Sequence, residues 1–483
     1  MSGITHIANN IGKTPLVRLS GVEGLAAGPY SAEFVGKLEY MNPGGSIKDR
    51  VAKHIDKQLG KQNVPTDALL IVAGPGNLAV SLSMIQPRPL LCLIPERTSD
   101  DRIRLLKAAG ITDIVRTLDG ALPGSPEHPV EIGRRIAQHH KNAVYVDEEQ
   151  DTWDLGECYR GLAREIIEQC DGKVDALVLG VDTGNAATHL ARALREAVPG
   201  VQIVGVEPTN SAIGETAVAN PLARRWLCED IGRVYAPRAL APGSIDMWIQ
   251  VSDAVAYSMA RRLIKAGIHA GTSAGASVAA AKMYATSAAL DGASRVVVIV
   301  GDTARNYSET LLSDEWMLAH DLLDTRMLSD LQRKQHGQYR GASVEDLQLP
   351  AAVSVSGDDS VGAAVALMAE NQFSQVPVTG PQRRLIGYLT LSAAQNLLDS
   401  GVADAKAPVK NFMLKFAGKG RATGSARHRY WLITPETPLS ELARFFETHS
   451  VAFVTDASRK FCLGIATKQD LIGFLGRRNT LQF

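Results

Sequence analysis

The sequence has no excess of either charge and no pattern typical of a membrane or secreted protein. Its 483 residues carry 51 basic and 51 acidic side chains, so the formal net charge is zero. A chain without a basic excess has no general attraction for nucleic acid or for an anionic membrane. No run of 18 apolar residues indicates a membrane span, and the first thirty residues lack the apolar core of a secretion signal. We therefore expect a cytoplasmic protein with no nucleic-acid and no membrane partner.

Cysteines are few and widely spaced. They stand at positions 92, 158, 170, 228 and 462, and no C-x-x-C pair occurs. Zinc sites and disulfide frameworks use closer cysteine spacings. The sequence therefore predicts no metal site and no disulfide framework, which fits a reducing cytosol.

The sequence does contain one stretch that combines turn residues with the start of a helix, N-P-G-G-S-I-K-D-R at residues 42–50. Its proline and glycines predict a turn, after which Ser46 is expected to cap a helix with Asp49 as capping-box partner. Apolar residues at helical spacing extend that helix from about Ile47 to Leu59. Lys48 then lies in the first turn, where the helix dipole disfavours its ammonium form. A lysine with a lowered pKa suits covalent chemistry with a carbonyl group.

For an isolated cap, a plain helix start with a solvated lysine is the better interpretation, because such caps are common. Further stretches follow in order along the chain: N-I-G-K-T-P-L-V-R at 10–18, G-T-S-A-G at 271–275, G-D-T-A-R-N-Y at 301–307 and L-S-D-E-W-M at 312–317. Together with residues 42–50 they resemble the fold-type II pyridoxal-phosphate (PLP) enzymes, the group of cysteine synthase. The last two stretches resemble the cystathionine β-synthase family within that group.

Residues 1–325 alternate short apolar runs with helical patterns. Near-continuous apolar runs, such as 69–72, 201–206 and 296–300, predict strands of sheets buried on both faces, and hence an α/β layered domain. The resemblance implies more narrowly a fold-type II (tryptophan synthase β-like) catalytic domain with PLP as cofactor. Some relatives carry a haem on an N-terminal cysteine and histidine. Since no cysteine precedes Cys92, we expect no haem here.

The second part of the chain contains an internal repeat. The pieces I-G-Y-L-T at 386–390 and L-G-I-A-T at 463–467 occupy matching places in the two copies. The pattern resembles a tandem pair of CBS domains. The predicted boundaries are 326–345 for a linker, 346–402 for the first copy, 403–430 for a Gly-rich basic loop and 431–483 for the second copy. For the basic loop, a solvated connector is favoured over a polyanion contact.

The resemblance also implies roles for individual residues. Lys48 would link covalently to PLP and then take the α-proton of the substrate. Asn77 matches the asparagine that bonds the phenolic oxygen of the cofactor, and Thr303 matches the hydroxyl at its pyridine nitrogen. A neutral hydroxyl there leaves the ring a weaker electron sink, which favours β-elimination. The remaining implied residues are Thr183, Gly184 and Asn185 for the cofactor, and Gly76, Asn77 and Tyr159 for the substrate.

The sequence departs from the family pattern in the loops that should hold anions. Pro75 and Leu78 replace both hydroxyls of the substrate-carboxylate loop S-G-N-T-G, and Pro75 also lacks an N–H donor. Asp182 replaces the first glycine of the phosphate loop G-T-G-G-T. A carboxylate 4 Å from a phosphate costs on the order of 4 kcal/mol per unit charge at intermediate dielectric, so either Asp182 points away or phosphate binding is weakened. Asp230 and Arg233 bring new charges to the mouth of the site, which leaves open an active enzyme with a changed amino-acid substrate.

Two functions remain open from the sequence. Retention of Lys48, Asn77 and Thr303 favours β-elimination and β-replacement on serine or an activated serine, with a thiol such as homocysteine as acceptor. The altered loops favour the alternative, a catalytically degenerate paralogue with a structural or regulatory role. In either case the resemblance implies a homodimer or homotetramer, and the active enzyme would take small amino-acid substrates.

The repeat carries one ligand signature. Thr467 and Asp470 match the ribose-binding pair of CBS domains, whereas the first copy has Thr390 and Ala393 without a carboxylate. At most one complete adenosyl site is therefore expected, and a simple helix cap would use the same two residues. We predict a structural role in oligomer assembly for this pair of domains, with weak or absent regulation by adenosyl ligands.

Overall fold

The computed structural model describes residues 6–25, 32–149, 153–214, 225–330, 339, 341–415, 432–449 and 451–480. The chain divides into two compact units, residues 1–325 and residues 326–483. Within the described ranges, no helix has the length and apolar character needed to cross a membrane.

Two sheets of mostly parallel strands form the first unit. The larger sheet has the order β1-β2-β10-β7-β8-β9, and only β1 runs antiparallel to its neighbour. The smaller sheet has the order β5-β4-β3-β6 and is parallel throughout. The strands are β1 Leu16–Arg18, β2 Glu33–Leu38, β3 Leu69–Ala73, β4 Leu90–Pro95, β5 Asp113–Thr117, β6 Ala143–Val146, β7 Ala176–Gly180, β8 Gln202–Pro208, β9 Met247–Val251 and β10 Arg295–Val300.

Helices alternate with these strands and cover the sheets, as the apolar runs of the sequence predicted. The small-residue-rich helix α8 is buried on most of its surface, because it packs against strands of the larger sheet. The helices are α1 Lys48–Lys61, α2 Asn77–Ile85, α3 Asp100–Ala108, α4 Pro129–His139, α5 Gly156–Gln169, α6 Asn185–Ala197, α7 Asp253–Lys265, α8 Thr272–Ser287 and α9 Asp314–Ala319.

The start of α1 differs in detail from the sequence prediction. The N-cap residue is Ile47, with no side-chain cap, although the Ser46 hydroxyl accepts a bond from the Lys48 N–H at 3.2 Å. The Asp49 carboxylate accepts the Gly44 N–H at 2.6 Å and so closes the turn before the helix. The predicted capping box is therefore wrong, whereas the helix and the first-turn position of Lys48 are confirmed.

Carboxyl ends of parallel strands converge on one region of this unit. Asn77 follows β3, Glu148 follows β6, Asn185 follows β7 and Asp302 follows β10. Ligands of open parallel sheets bind at this edge, where the loops and helix N-termini meet. The topology thus gathers residues from both sheets into one place.

The second unit contains two small sheets of equal design. Each has a parallel pair of strands followed by an antiparallel third, and each has a register shift at the corresponding position. This confirms the internal repeat. The elements are β11 Val355–Ser356, α10 Val361–Glu370, β12 Gln375–Thr379, β13 Leu385–Thr390, α11 Leu391–Asp399, β14 Leu432–Ile433, α12 Leu439–Thr448, β15 Val451–Thr455, β16 Cys462–Thr467 and α13 Lys468–Thr480.

Segments beside the predicted copies complete their cores. Tyr339 and Val344, which precede the predicted first copy, and Leu347, at its start, pack in the core of the second copy. Val409 is fully buried in the core of the first copy. A repeat pattern alone does not reveal this packing. The rest of the predicted basic loop, from residue 416 on, and residues 331–338 and 340 of the predicted linker lie outside the described residues.

Candidate active site

A single pocket brings together most of the site residues predicted from the sequence. Its lining includes Lys48, Gly76, Asn77, Tyr159, Thr183 and Gly184. We call it the inner pocket. Asn185 and Thr303 do not line it: the Asn185 amide donates to the Glu148 carbonyl at 2.5 Å, and the Thr303 hydroxyl accepts the Arg305 N–H at 3.3 Å. Thr467 and Asp470 lie in the other unit.

Lys48 forms an ion pair inside the pocket. Its amine donates to the Glu148 carboxylate at 2.5 Å, and the exposed fractions of the two side chains are 18% and 7%. Burial opposes the ammonium form, but the charges of Glu148 and Asp182 outweigh burial, so the pKa of Lys48 is raised. The expectation of a lowered pKa from the helix dipole is therefore wrong, because a carboxylate in contact is a stronger influence than the dipole.

An anion cradle lies at the start of α6. Gly184 is its N-cap residue, with a φ of 84°. A Cβ at Gly184 would lie 2.6 Å from the Leu240 backbone, so only glycine fits there. The first N–H groups of any helix have no intrahelical acceptor and favour an anion such as phosphate.

Arg102 is fully buried beside the pocket and holds several polar groups. Its guanidinium lies 2.6 Å from the Asp230 carboxylate and 3.1 Å from that of Asp302. It also donates to the Tyr307 hydroxyl at 2.8 Å and to the amide oxygen of Asn77. The Asn77 amide in turn donates to Asp230 at 2.9 Å. The network fixes the orientation of Asn77, which the resemblance assigns to the cofactor.

Asp230 holds a conformation that side chains seldom adopt. Its φ is 66°, in the left-handed region, and one of its carboxylate oxygens is buried without a hydrogen bond. Residues strained in this way cluster at functional sites. Asp230 therefore reaches into the inner pocket from a backbone position that glycine would occupy at lower cost.

The carboxyl groups of Asp230 and Asp302 share this buried network and differ in charge. Burial and the negative charge of Asp230 raise the pKa of Asp302 to about 8. Burial also disfavours the charged form of Asp230, but Arg102 outweighs it and the pKa of Asp230 is lowered. We infer that at neutral pH Asp230 is ionised and Asp302 keeps its proton.

The wall of the pocket that the resemblance assigns to the substrate is formed by α2 and Tyr159. Gly76 is the N-cap residue of α2, with a φ of 114° and no side-chain cap. The first N–H groups of α2, as of any helix, have no intrahelical acceptor. Tyr159 is buried and stacks on His189 with ring centres 6.0 Å apart. The side chain of Leu78 is buried and offers no hydrogen bond. The loop from Pro75 to Leu78 thus offers a substrate carboxylate backbone donors and no hydroxyl.

A second cavity adjoins the inner pocket. It encloses about 960 Å³ of empty space, part of it open to solvent, and we call it the outer chamber. Pro75, Glu148, Asp182, Thr183 and Asp230 line both cavities. Residues of the outer chamber alone include Arg97, Asp119, His128, Tyr145, Glu149, Arg233 and Tyr235.

The charge of Asp182 is compensated. Its carboxylate lies 2.8 Å from the Arg233 guanidinium, which also pairs with Glu149 at 3.2 Å and bonds the Tyr235 hydroxyl at 2.7 Å. Burial opposes the charged form of Arg233, but Asp182 outweighs it and the pKa of Arg233 is raised. The substituted phosphate loop therefore carries an ion pair in place of a lone negative charge.

Three residues of the site were missed by the sequence analysis, namely Arg102, Glu148 and Asp302. Arg102 stands beside two acidic residues at the start of α3 and looks like part of a solvated first turn. The signal that could have found it is its spacing of four from the buried Leu106, which places both on one helix face. Glu148 carries no comparable signal, since only the sheet topology brings it to Lys48.

The groups present fit pyridoxal phosphate. The pocket offers an amine for a covalent link at Lys48, an oriented amide at Asn77 and a helix N-terminus for a phosphate at Gly184. No group of three or more metal-ligating side chains occurs in the part of the chain that the structure describes.

Comparison with known families agrees with this arrangement. The model of the family "Pyridoxal-phosphate dependent enzyme" matches residues 7–302, and the CBS domain model matches residues 344–398 and 426–477. The chain is 32% identical to a cystathionine beta-synthase of Dictyostelium discoideum over 97% of this chain and 92% of that protein. It is also 32% identical to an N-(2-amino-2-carboxyethyl)-L-glutamate synthase of Cupriavidus metallidurans over 64% of this chain and 90% of that protein.

Solved structures share the fold over about two thirds of the chain. A hydrogen sulfide-producing enzyme of Fusobacterium nucleatum matches with a TM-score of 0.55 and 25% identity, over 63% of this chain and 99% of that one. An O-acetylserine dependent cystathionine beta-synthase of Helicobacter pylori matches with a TM-score of 0.57 and 24% identity, over 65% of this chain and 100% of that one.

Proposed function

The chain belongs to the pyridoxal-phosphate dependent enzyme family, and we propose that it joins serine or an activated serine to a thiol such as homocysteine by β-elimination and β-replacement. It is an enzyme with PLP as cofactor and a tandem CBS pair after its catalytic unit. The serine and thiol substrates are part of the proposal, supported by the names of the relatives.

One observation carries the proposal for the site, namely that Lys48, Asn77 and the start of α6 line one pocket. We propose that Lys48 binds PLP covalently, that the Asn77 amide bonds its phenolic oxygen and that the segment 183–185 holds its phosphate. Thr303 is proposed for the pyridine nitrogen, although its hydroxyl bonds the Arg305 N–H in this structure. When bound, PLP withdraws electrons from the substrate and makes its α-proton acidic.

The protein side chains supply proton transfer, orientation and exclusion of water. The Lys48 amine takes the α-proton and can return a proton to the leaving group. Glu148, in contact with this amine, stabilises its protonated form. The N–H groups at the start of α2 orient the substrate carboxylate, with Gly76 giving the close approach. Tyr159, which is buried, lines the pocket and keeps water from this wall.

A catalytically degenerate role receives no support from the relatives, because each of those described above is named as an enzyme. We propose that the CBS pair serves assembly into a homodimer or homotetramer. A cytoplasmic location is part of the proposal, since all five cysteines are free thiols, as expected in a reducing compartment.

Borohydride reduction of the yellow holoprotein followed by peptide mapping tests the cofactor assignment. A pyridoxyl label on Lys48 is the expected result, and a label on another lysine contradicts it. Formation of product from serine or O-acetylserine with homocysteine tests the reaction. The variant Lys48→Ala should lose both the label and the activity, whereas Lys53→Ala, an exposed lysine on α1, should keep both.

A further inference from the structure

Arg97 in the outer chamber forms no ion pair with any residue that the structure describes. Its guanidinium lies over the Trp226 ring at 4.2 Å and reaches the Gly232 carbonyl at 3.5 Å. Asp119 is near, but its carboxylate accepts the backbone N–H of Arg97 at 3.2 Å and forms no ion pair with the guanidinium. Among the described residues, no carboxylate lies within 4.0 Å of this guanidinium. A largely enclosed cation without a counter-charge is stabilised when it binds an anion.

The other arginine of the chamber has its partners. Arg233 is held by Asp182 and Glu149. A ligand that presents an anion would therefore have to break an existing ion pair to reach Arg233, whereas Arg97 is ready to bind it. Burial lowers the pKa of Arg97, and an anion bound to its guanidinium would raise that pKa again.

The two residues that contact the Arg97 guanidinium, Gly232 and Trp226, are themselves tightly packed. Gly232, whose carbonyl it reaches, has a φ of 91°, and a Cβ there would lie 2.7 Å from Pro208 and 3.0 Å from Trp226. Trp226 is itself buried and donates its indole N–H to the Ile231 carbonyl at 3.1 Å. A planar guanidinium stacked on an aromatic ring keeps its edge free for two parallel bonds to a carboxylate.

We propose that Arg97 binds the carboxylate of the second, nucleophilic substrate and so selects an amino-acid acceptor over a thiol without a carboxylate. The inference rests on the proposed β-replacement function. The outer chamber is partly open to solvent, so an acceptor amino acid can approach Arg97, and it adjoins the inner pocket, since Pro75 and Asp230 line both cavities. An acceptor bound by its carboxylate at Arg97 would extend its nucleophile toward Lys48.

The test uses the holoenzyme with two thiols, L-homocysteine and propane-1-thiol, of which only the first carries a carboxylate. Arg97→Met keeps an apolar contact on Trp226 and removes the charge. Because a hydrogen bond to a charged group is worth roughly 1.5–3 kcal/mol, we expect kcat/KM for homocysteine to fall about ten- to hundredfold. The value for propane-1-thiol should stay the same, and Arg97→Lys should recover part of the loss.

Arg116→Met is the matched control. Arg116 is partly exposed and bonds the carbonyls of Glu96 and Thr98, on either side of Arg97. The Arg116→Met variant should leave the ratio of the kcat/KM values for the two thiols unchanged. This control separates the loss of charge at Arg97 from a general loss of order in this loop. Equal losses for both thiols in Arg97→Met overturn the proposal, as does an effect confined to the KM of the serine donor.

A binding measurement separates this inference from the proposed function. Calorimetry of homocysteine with the holoenzyme, in the absence of a donor, needs no turnover. Binding that Arg97→Met weakens at least tenfold supports the carboxylate site, and unchanged binding refutes it. If the unmodified enzyme uses neither thiol, the proposed function fails, while calorimetry still decides whether Arg97 binds the acceptor carboxylate.

Discussion

The amine of Lys48 and the carboxylate of Glu148 lie 2.5 Å apart in the inner pocket. This pair keeps a proton on the lysine, yet the reaction of an amine with an aldehyde requires the neutral amine. Glu148 therefore controls the pH at which Lys48 becomes reactive.

Glu148→Gln should lower the pKa of Lys48, because it removes the nearest opposite charge. We expect the pH midpoint for incorporation of PLP into the apoprotein to fall by about one unit or more. The rise of absorbance after mixing, measured between pH 6 and pH 10, gives this midpoint. Glu157→Gln neutralises an exposed carboxylate that pairs with Arg160, and it should leave the midpoint in place. An unchanged midpoint in Glu148→Gln would show that the ion pair does not control the lysine.

Serine itself should be a poor substrate. Pro75 and Leu78 offer no hydroxyl to the substrate carboxylate, and one hydrogen bond to a charged group is worth roughly 1.5–3 kcal/mol. The double variant Pro75→Ser with Leu78→Thr should raise kcat/KM for serine about tenfold or more. Val80→Thr adds a hydroxyl to the same helix outside both cavities and should have no such effect. The idea fails if the unmodified enzyme already uses serine as well as O-acetylserine.

Arg233→Met should weaken PLP binding, because it leaves Asp182 without its counter-charge near the start of α6. We expect a loss of at least tenfold in affinity, measured by fluorescence titration of the apoprotein. The double variant Asp182→Asn with Arg233→Met should recover most of it, since the repulsion then disappears. A double variant as weak as the single one would show that Arg233 acts on the fold and not through Asp182.

Asp302 should make the first unit less stable as the pH rises from about 5 to 8. Its pKa is raised from an ordinary value near 4 to about 8, so in this window the folded chain keeps a proton that the unfolded chain releases. Stability therefore falls with rising pH by at most about 1.4 kcal/mol per pH unit. Asp302→Asn should flatten this dependence in denaturant unfolding at pH 5.5, 6.5 and 7.5.

The lowered pKa of Asp230 contributes stability that is present above its unfolded value and lost only at more acidic pH, so it does not affect this window. Asp291→Asn changes an exposed aspartate and should keep the slope of the unmodified protein. Parallel slopes for the Asp302 variant and the unmodified chain would show that Asp302 is ionised throughout.

Adenosyl ligands should bind weakly to the CBS pair. The Asp470 carboxylate already accepts the Thr467 N–H at 2.8 Å and its hydroxyl at 2.6 Å, so it is engaged at the start of its own helix. Calorimetry of the full chain with S-adenosylmethionine, ATP and AMP should give no micromolar binding. Micromolar binding that Asp470→Ala abolishes, and that Asp456→Ala on the exposed turn retains, would contradict the structural role.

The sequence was sufficient for the parts of the site that a local motif encodes. The turn before Lys48, the glycine at Gly184 and the asparagine at Asn77 are each dictated by backbone conformation or by a specific bond, so a short stretch carries the information. The helix caps were less predictable, because Asp49 finds a stronger partner in the turn than in the helix.

Long-range contacts between charges could not be predicted in the same way. Arg102 meets Asp230 and Asp302 across 128 and 200 residues of chain, and Glu148 meets Lys48 across 100. Side-chain type and helical periodicity contain no information on such pairs. The lysine pKa was predicted in the wrong direction for this reason, since its strongest neighbour comes from another sheet.

The meeting of strands from two sheets at one edge has a consequence for folding. Lys48 and Asp302 follow strands of the larger sheet, while Asn77 and Glu148 follow strands of the smaller one. No pocket exists until both sheets have formed and docked, so a nascent chain cannot retain the cofactor. A ligand that binds only the assembled pocket stabilises it by mass action. The supply of cofactor should therefore set how much of the freshly synthesised protein escapes proteolysis.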